Sequence, residues 1–345
     1  MEEVRWGIIG VGNVTELKSG PAFNKAQNSR LVAVMRRNAS LAADYASRHS
    51  VPRWYSDADQ LISDPEVNAV YVSTPPYMHA EYAIRAMEAG KPVYVEKPMA
   101  MNFRECKDML KVSASTGVPL FVAYYRRTLP AFLKVRDLMA EGEIGIPLTV
   151  NIRLIREAAE RTQLPGEMSW HVNPEIGGAG HFFDLASHQL DFLDFLFGPI
   201  SEVKGIAVNQ AGLYPAEDTV TGTFIFENGV TGTGTWCFVA DPSAAEDVIE
   251  IVGTGGCISI STFQHGDVVM KNRQGVHKYR MNNPENIQQY LIQNVVDSIL
   301  GKAEPVSTGE SGARTSAVMD EMVKGYYTGR DKRSDRSKGS CRIGV

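Results

Sequence analysis

Short apolar runs alternate with helix-spaced segments through the first third of the chain. Residues 4–9, 31–35, 69–72, 92–95 and 119–123 are nearly continuous apolar runs. Between them, residues 39–49, 79–89 and 103–116 carry apolar side chains at helical spacing; Val51-Pro52 stops the first of these and Gly90 closes the second. Buried strands joined by helical crossovers predict a parallel sheet covered on both faces. The pattern then changes. Residues 132–140 and 184–197 read as helices. Residues 219–226 and 230–236 read as strands that flank Glu227-Asn228-Gly229, and Asn-Gly is a strong hairpin signal. Gly253-Thr254-Gly255-Gly256 predicts a further turn between strands, and residues 286–300 and 316–327 predict closing helices. The reading divides the chain into residues 1–125, residues 126–329, and a basic, aperiodic segment 330–345 expected to be a flexible tail.

Composition narrows the classes. The chain has 345 residues, of which 43% are hydrophobic and 22% charged, enough for a sizeable core in about two domains. The formal net charge is -5 and the pI about 5.9, which speaks against a nucleic-acid partner. No apolar run approaches the ~20 residues of a membrane span, so no membrane partner is expected. The first residues lack the basic and then apolar pattern of a secretory signal. Cys106, Cys237, Cys257 and Cys341 are scattered without a CxxC pair. These features together predict a reducing, cytoplasmic location.

Candidate chemistry collects at the ends of the predicted strands, where open α/β sheets bind ligands. Gly10-Val11-Gly12-Asn13-Val14-Thr15 follows the first strand; its glycines permit a tight turn that brings amides to a pyrophosphate. Thr15 stands where glycine or alanine is usual, and Gly20-Pro21 is expected to break the helix that follows. Arg36-Arg37 ends the second strand, where an acid would ordinarily accept from a ribose hydroxyl. A guanidinium there favours a 2′-phosphate, hence NADP over NAD. Ser73-Thr74-Pro75-Pro76 and Glu96-Lys97-Pro98 end two further strands. Lys97 can stabilise a developing alkoxide. Farther on, Asp184 and His188 lie four residues apart on one helix face, so the carboxylate can orient an imidazole that exchanges a proton with a hydroxyl. Asp184, His188 and His181 are possible metal ligands, but no zinc spacing appears and no metal is expected.

GVGNVT at 10–15, STPPYMHAEYA at 73–83, EKP at 96–98, EGEIG at 141–145 and GGAGHFFDLASHQLD at 177–191 resemble the Gfo/Idh/MocA family in order and over almost the whole chain. The resemblance implies a Rossmann doubly wound parallel sheet followed by an α+β domain with a large, mostly antiparallel open sheet. It implies an NAD(P)-dependent oxidoreductase that moves a hydride between nicotinamide and a hydroxyl or carbonyl carbon of a sugar, cyclitol or related polyol. The family's catalytic Lys, Asp and His fall on Lys97, Asp184 and His188, and the Lys97–Pro98 bond is expected to be cis. The cofactor set is Gly10, Gly12, Asn13, Val14, Arg36, Arg37, Ser73, Thr74, Pro75, His79, Glu96 and Lys97. Tyr124, Tyr125, Arg126, Trp170 and His171 are candidate substrate residues. The family's second domain implies a homodimer or homotetramer, in keeping with strand-like segments over 219–260 that few helices would cover. Two other readings stay open: a glycoside hydrolase using transient NAD oxidation, and a non-catalytic NADP(H) redox sensor.

Overall fold

The computed structural model describes residues 2–158, 169–264 and 266–333. Among these, the strands form two sheets. The first contains β1 (Val4–Ile9), β2 (Ser29–Met35), β3 (Arg53–Tyr55), β4 (Ala69–Val72), β5 (Val93–Val95) and β6 (Leu120–Val122), in the order β3-β2-β1-β4-β5-β6. Every pairing in it is parallel. The continuous apolar runs follow from burial on both faces. Trp6, Ile8, Tyr71 and Tyr94 face a core shared with the second half, while Ile9, Val70, Val72, Val93 and Val95 face the crossover helices. Local chemistry sets the helix ends. Asn102 Oδ1 accepts from Glu105 N at 3.0 Å to start Phe103–Thr116, and Gly117 at φ 69° ends it. The edge strand β3 and the helix Ala58–Ser63 lie beyond what apolar runs could announce, because both are short and half exposed.

The second sheet contains β7 (Pro147–Ile155), β8 (Ile200–Val208), β9 (Thr219–Phe226), β10 (Thr231–Cys237), β11 (Glu246–Gly253), β12 (Gly256–Ile260), β13 (Val268–Asn272) and β14 (Gly275–Tyr279). Its order is β14-β13-β12-β11-β7-β10-β9-β8, and only the central β7–β10 pair is parallel. The two predicted turns are present: β9 pairs antiparallel with β10 around Gly229 (φ 87°), and β11 with β12. One face packs on the helix His181–Phe197 and on Gly309–Arg333. A Cβ at Gly205 would strike the Met322 carbonyl, so glycine in β8 lets that last helix approach closely. The other face, with Thr221, Thr223, Thr231 and Thr233 exposed, is covered by no described helix.

Two element ends differ from the sequence reading. The helix predicted over 316–327 begins at Gly309 and runs to Arg333, because Met319, Met322 and Val323 bury a stripe that its many Gly, Ser and Arg residues obscure. Residues 330–333, read as the start of a tail, are therefore helical, and 334–345 lie outside the described residues. The helix predicted from Asp184 begins at His181, which places Asp184 within its first turn. No described helix is long and apolar enough to cross a membrane.

Candidate active site

The phosphate loop is built around two tight approaches. Gly10 has φ 99°, and a Cβ there would lie 2.7 Å from Thr74 Cγ2 and 2.8 Å from Thr74 N, so the loop can touch the β4 end only as glycine. A Cβ at Gly12 would meet nothing within 4 Å. That open ground lies beside Asn13 and Val14, whose amides open the helix Asn13–Leu17 and lack intrahelical partners. Thr15 does not impair the loop. Its buried hydroxyl accepts from Gly12 N at 2.9 Å and donates to Gly12 O at 2.8 Å. The close contact falls instead at Gly20, where a Cβ would collide with the Thr15 carbonyl and the Tyr45 hydroxyl; the helix breaks there, as Gly20-Pro21 predicts, and restarts as Gly20–Lys25. Thr74 Oγ1 is buried without a partner. The open ground at Gly12 and this orphaned hydroxyl fit a dinucleotide phosphate.

The other strand-end residues divide into open and inward-turned groups. Arg36 is half buried, its backbone amide held by Tyr55 O at 3.1 Å, and its guanidinium has no ion-pair partner among the described residues. Arg37 is exposed and donates to the Tyr77 hydroxyl at 3.2 Å. Ser73 Oγ donates to Gly10 O at 3.1 Å, and Pro75 leads into the turn Pro76–Met78. His79 is buried with Nδ1 2.9 Å from Pro98 O and Nε2 2.7 Å from Thr74 O, so its ring ties the β4 and β5 loops together. Glu96 also points inward. Its Oε1 accepts from the Tyr71 hydroxyl at 2.5 Å and Gln288 Nε2 at 2.6 Å, and its Oε2 accepts from Lys97 N at 3.1 Å. The sequence points to both residues as cofactor contacts; in the structure their side-chain polar atoms are engaged by protein, and they hold the loops that carry the site. The Lys97–Pro98 bond is cis.

Lys97 and Asp184 come together across the two halves. Gly178, at φ 86°, has no room for a Cβ beside the Met101 carbonyl, and this approach sets the helix His181–Phe197 against the loop after β5. Lys97 Nζ donates to Asp184 O at 2.9 Å and forms an ion pair with Asp184 Oδ1. Burial would raise the Asp184 carboxyl, but the Lys97 ammonium, together with His171 and His181, outweighs it and holds the group well below the usual carboxylate range. The expectation that Asp184 orients His188 is not met, because the carboxylate is turned to Lys97. His188 is instead boxed by aromatic rings: Tyr125 at 5.2 Å, Phe263 at 6.0 Å and Tyr124 at 6.2 Å between centroids. Its Nδ1 is buried without a partner. Burial first, then the charges of Arg126 and Lys97, push its pKa well below the ordinary histidine value and keep it neutral. Tyr124 is fully buried, and its hydroxyl is also unpartnered.

Trp170 and His171 stack at 3.6 Å, and Ser169 Oγ lies 2.9 Å from His171 Nδ1. His171 is lowered by burial and feels both Asp184 and Lys97; His181, 6.5 Å away between ring centroids, is pushed down to about 4, mainly by burial. Sequence reasoning missed three contributors. Lys18 is exposed, yet its charge reaches both His171 and His188. Arg156 lies over the Phe263 ring at 4.8 Å. Gln288 reaches from the far end of the chain to Glu96 and Tyr94. None stands in a motif; only folding brings them near the strand-end residues and histidines named above.

Strand ends with room for a phosphate, a lysine at their lip and a second sheet behind are the features of two-domain NAD-binding oxidoreductases. Residues 4–124 match the family model described as oxidoreductase family, NAD-binding Rossmann fold, and residues 132–259 match the GFO/IDH/MocA C-terminal domain. The chain belongs to the Gfo/Idh/MocA family. It is 39% identical to an oxidoreductase of Formosa agariphila over 92% of this chain and 97% of that protein. It is 28% identical to the 1,5-anhydro-D-fructose reductase of Ensifer adhaerens, over 94% and 97% of the two chains. Among solved structures, a levoglucosan dehydrogenase in complex with NADH and levoglucosan shares the fold at a TM-score of 0.85 and 22% identity, covering 94% of this chain and 98% of that one.

Proposed function

We propose that this enzyme oxidises or reduces a carbon of a sugar or related polyol at the Lys97 end of the cleft, with NADP(H) as its preferred dinucleotide. The observation that carries the reading is the Lys97–Asp184 pair beside a neutral His188. When bound, the nicotinamide supplies the hydride acceptor or donor. An ammonium has three hydrogens; Asp184 O and Oδ1 take two of them, which leaves one for the substrate oxygen. That hydrogen bond stabilises the negative charge that develops as the O–H bond breaks. His188, held neutral, takes the hydroxyl proton during oxidation and returns it during reduction. Asp184 positions Lys97. Trp170, His171 and Tyr125 surround the sugar.

Names of relatives support the substrate class, since they include a reductase of an anhydro-sugar and a dehydrogenase of levoglucosan. Arg36 supports NADP because no carboxylate among the described residues pairs with it and its backbone is fixed at the end of β2. The test is a panel of sugars, cyclitols and polyols with NAD and NADP in both directions, read by absorbance of the reduced nicotinamide. Turnover with NADPH several-fold above NADH is expected; tightly retained cofactor with sugar cleavage and no net reduction would identify the hydrolase instead. The bare threonine face of the second sheet supports a dimer or tetramer, which light scattering checks. A single 37.9 kDa species at micromolar concentration would refute it.

A further inference from the structure

Two adjacent arginines are treated differently by the fold. Arg127 is buried and fully paired: it meets Asp191 Oδ1 at 2.8 Å and Asp194 Oδ2 at 3.1 Å. Arg126 is just as buried, at 4% exposure, but has no ion-pair partner among the described residues. Its Nε donates to Thr262 O at 3.1 Å, and its Nη1 is buried without any partner. Its guanidinium lies 4.6 Å from the Phe263 ring centre, and Arg156, likewise without an ion-pair partner among the described residues, lies 4.8 Å from the same centre. The same ring stands against His188. The Asp247 carboxylate, on the strand β11, gives its oxygens to the amides of Thr262, Phe263 and Gln264. Two cations therefore share one ring beside the reacting histidine. A buried charge left unpaired is costly, and a native fold retains it where a ligand meets it.

We propose that the pocket takes an acidic sugar, an aldonate or uronate, whose carboxylate seats on Arg126 and Arg156 beside Phe263. This rests on the reading of the site as one that acts on a sugar carbon, and it names the substrate class. One planar carboxylate suits the free edge of a guanidinium whose Nε is already bonded. Exposed Lys18, whose charge reaches His171 and His188, adds a steering charge.

The test compares kcat/KM for D-glucuronate with D-glucose, D-galacturonate with D-galactose, and a hexose phosphate, using the purified enzyme with NADP and NAD. Each acid should exceed its neutral partner by roughly tenfold or more, and the advantage should shrink as salt is raised. Arg156→Gln, at a half-exposed position and with its fold checked by melting temperature, should lower the acid's kcat/KM about tenfold more than the neutral sugar's. Arg126→Lys should do the same more weakly, since it keeps the charge and loses the fork. Neutral sugars turned over as well as acids, preference for the phosphate ester, or equal losses on both partners in Arg156→Gln would each overturn the proposal. If no sugar is turned over, the redox reading fails by itself. The subsite is then decided by isothermal titration of D-glucuronate against D-glucose: acid binding that Arg156→Gln abolishes supports it, and its absence in the wild type overturns it.

Discussion

The scaffold around Arg127 and the pocket wall around Arg126 answer charge in opposite ways. In the scaffold, Arg127 and Arg314 converge on Asp191 and Asp194, with Arg314 Nε 2.8 Å from Asp194 Oδ1, so charge from three segments is cancelled within the protein. In the wall, one residue earlier in the chain, Arg126 stays unmatched. The Lys97–Asp184 pair stands between these extremes, matched yet with a hydrogen to spare. Structure-building ions are closed by the protein itself, whereas ions that meet small molecules are left for those molecules to close.

The comparison can be broken first at the reacting groups. His188→Asn should keep dinucleotide affinity and lower turnover by ~10²–10⁴-fold, and Lys97→Met should cost ~10²–10³-fold, both measured by single-turnover hydride transfer on folded protein. Unchanged hydride transfer in His188→Asn would remove the imidazole from the chemistry. Next comes the scaffold. Arg127→Met strands the buried Asp191 carboxylate, while Asp194 keeps Arg314, and should lower unfolding free energy by about 3–5 kcal/mol in urea titration; Arg126→Met, which gives up ring contacts and the hydrogen bond to Thr262 O, should cost about 1–2 kcal/mol. Equal losses would erase the distinction between wall and scaffold. Arg36 carries the same logic to the far end of the cleft: Arg36→Asp should weaken NADPH by about 1.5–3 kcal/mol, roughly ten- to a hundredfold, and improve NADH, read by fluorescence titration.

The smallest effect is in pH. His181 falls to about 4 in the folded protein, and His79, His171 and His188 are also lowered, each chiefly by burial. The folded state then holds fewer protons than the unfolded chain below the ordinary histidine value of about 6.5. The stability these neutral rings contribute is complete above that value and is lost as pH falls toward 4. Melting temperature should decline over this window, because the unfolded chain takes up protons that the buried rings refuse. His181→Asn should flatten the decline; an unchanged slope would show that His181 does not contribute to it.

The parallel sheet was legible because burial on both faces writes itself as unbroken apolar runs, and the strand-end row followed from topology. Lys97, Asp184 and His188 were legible as motif members. Their partnership was not: helical spacing put Asp184 beside His188, but the approach of Gly178 to Met101 turned the carboxylate to Lys97. The inward roles of Glu96 and His79 depend on Gln288, Tyr71 and two loop carbonyls, distant groups that a local pattern does not register. Arg156 and Lys18 lie outside every motif, so only the folded chain reveals them.

The last helix also orders events during synthesis. β6 is an edge strand, closed by a bridge from Phe121 to Thr308 and by Ser307 Oγ on Val122 O at 2.8 Å, and Gly312 packs against Val122 and Met99. The dinucleotide half emerges from the ribosome first, yet its outermost strand stays uncapped until residues 307–333 arrive. Throughout that interval the nascent chain presents unpaired backbone amides and an apolar flank, the surface on which a chaperone would act or a neighbouring nascent chain would stick. A stalled or prematurely stopped message would therefore release a sticky product, even though every phosphate-loop residue had been made.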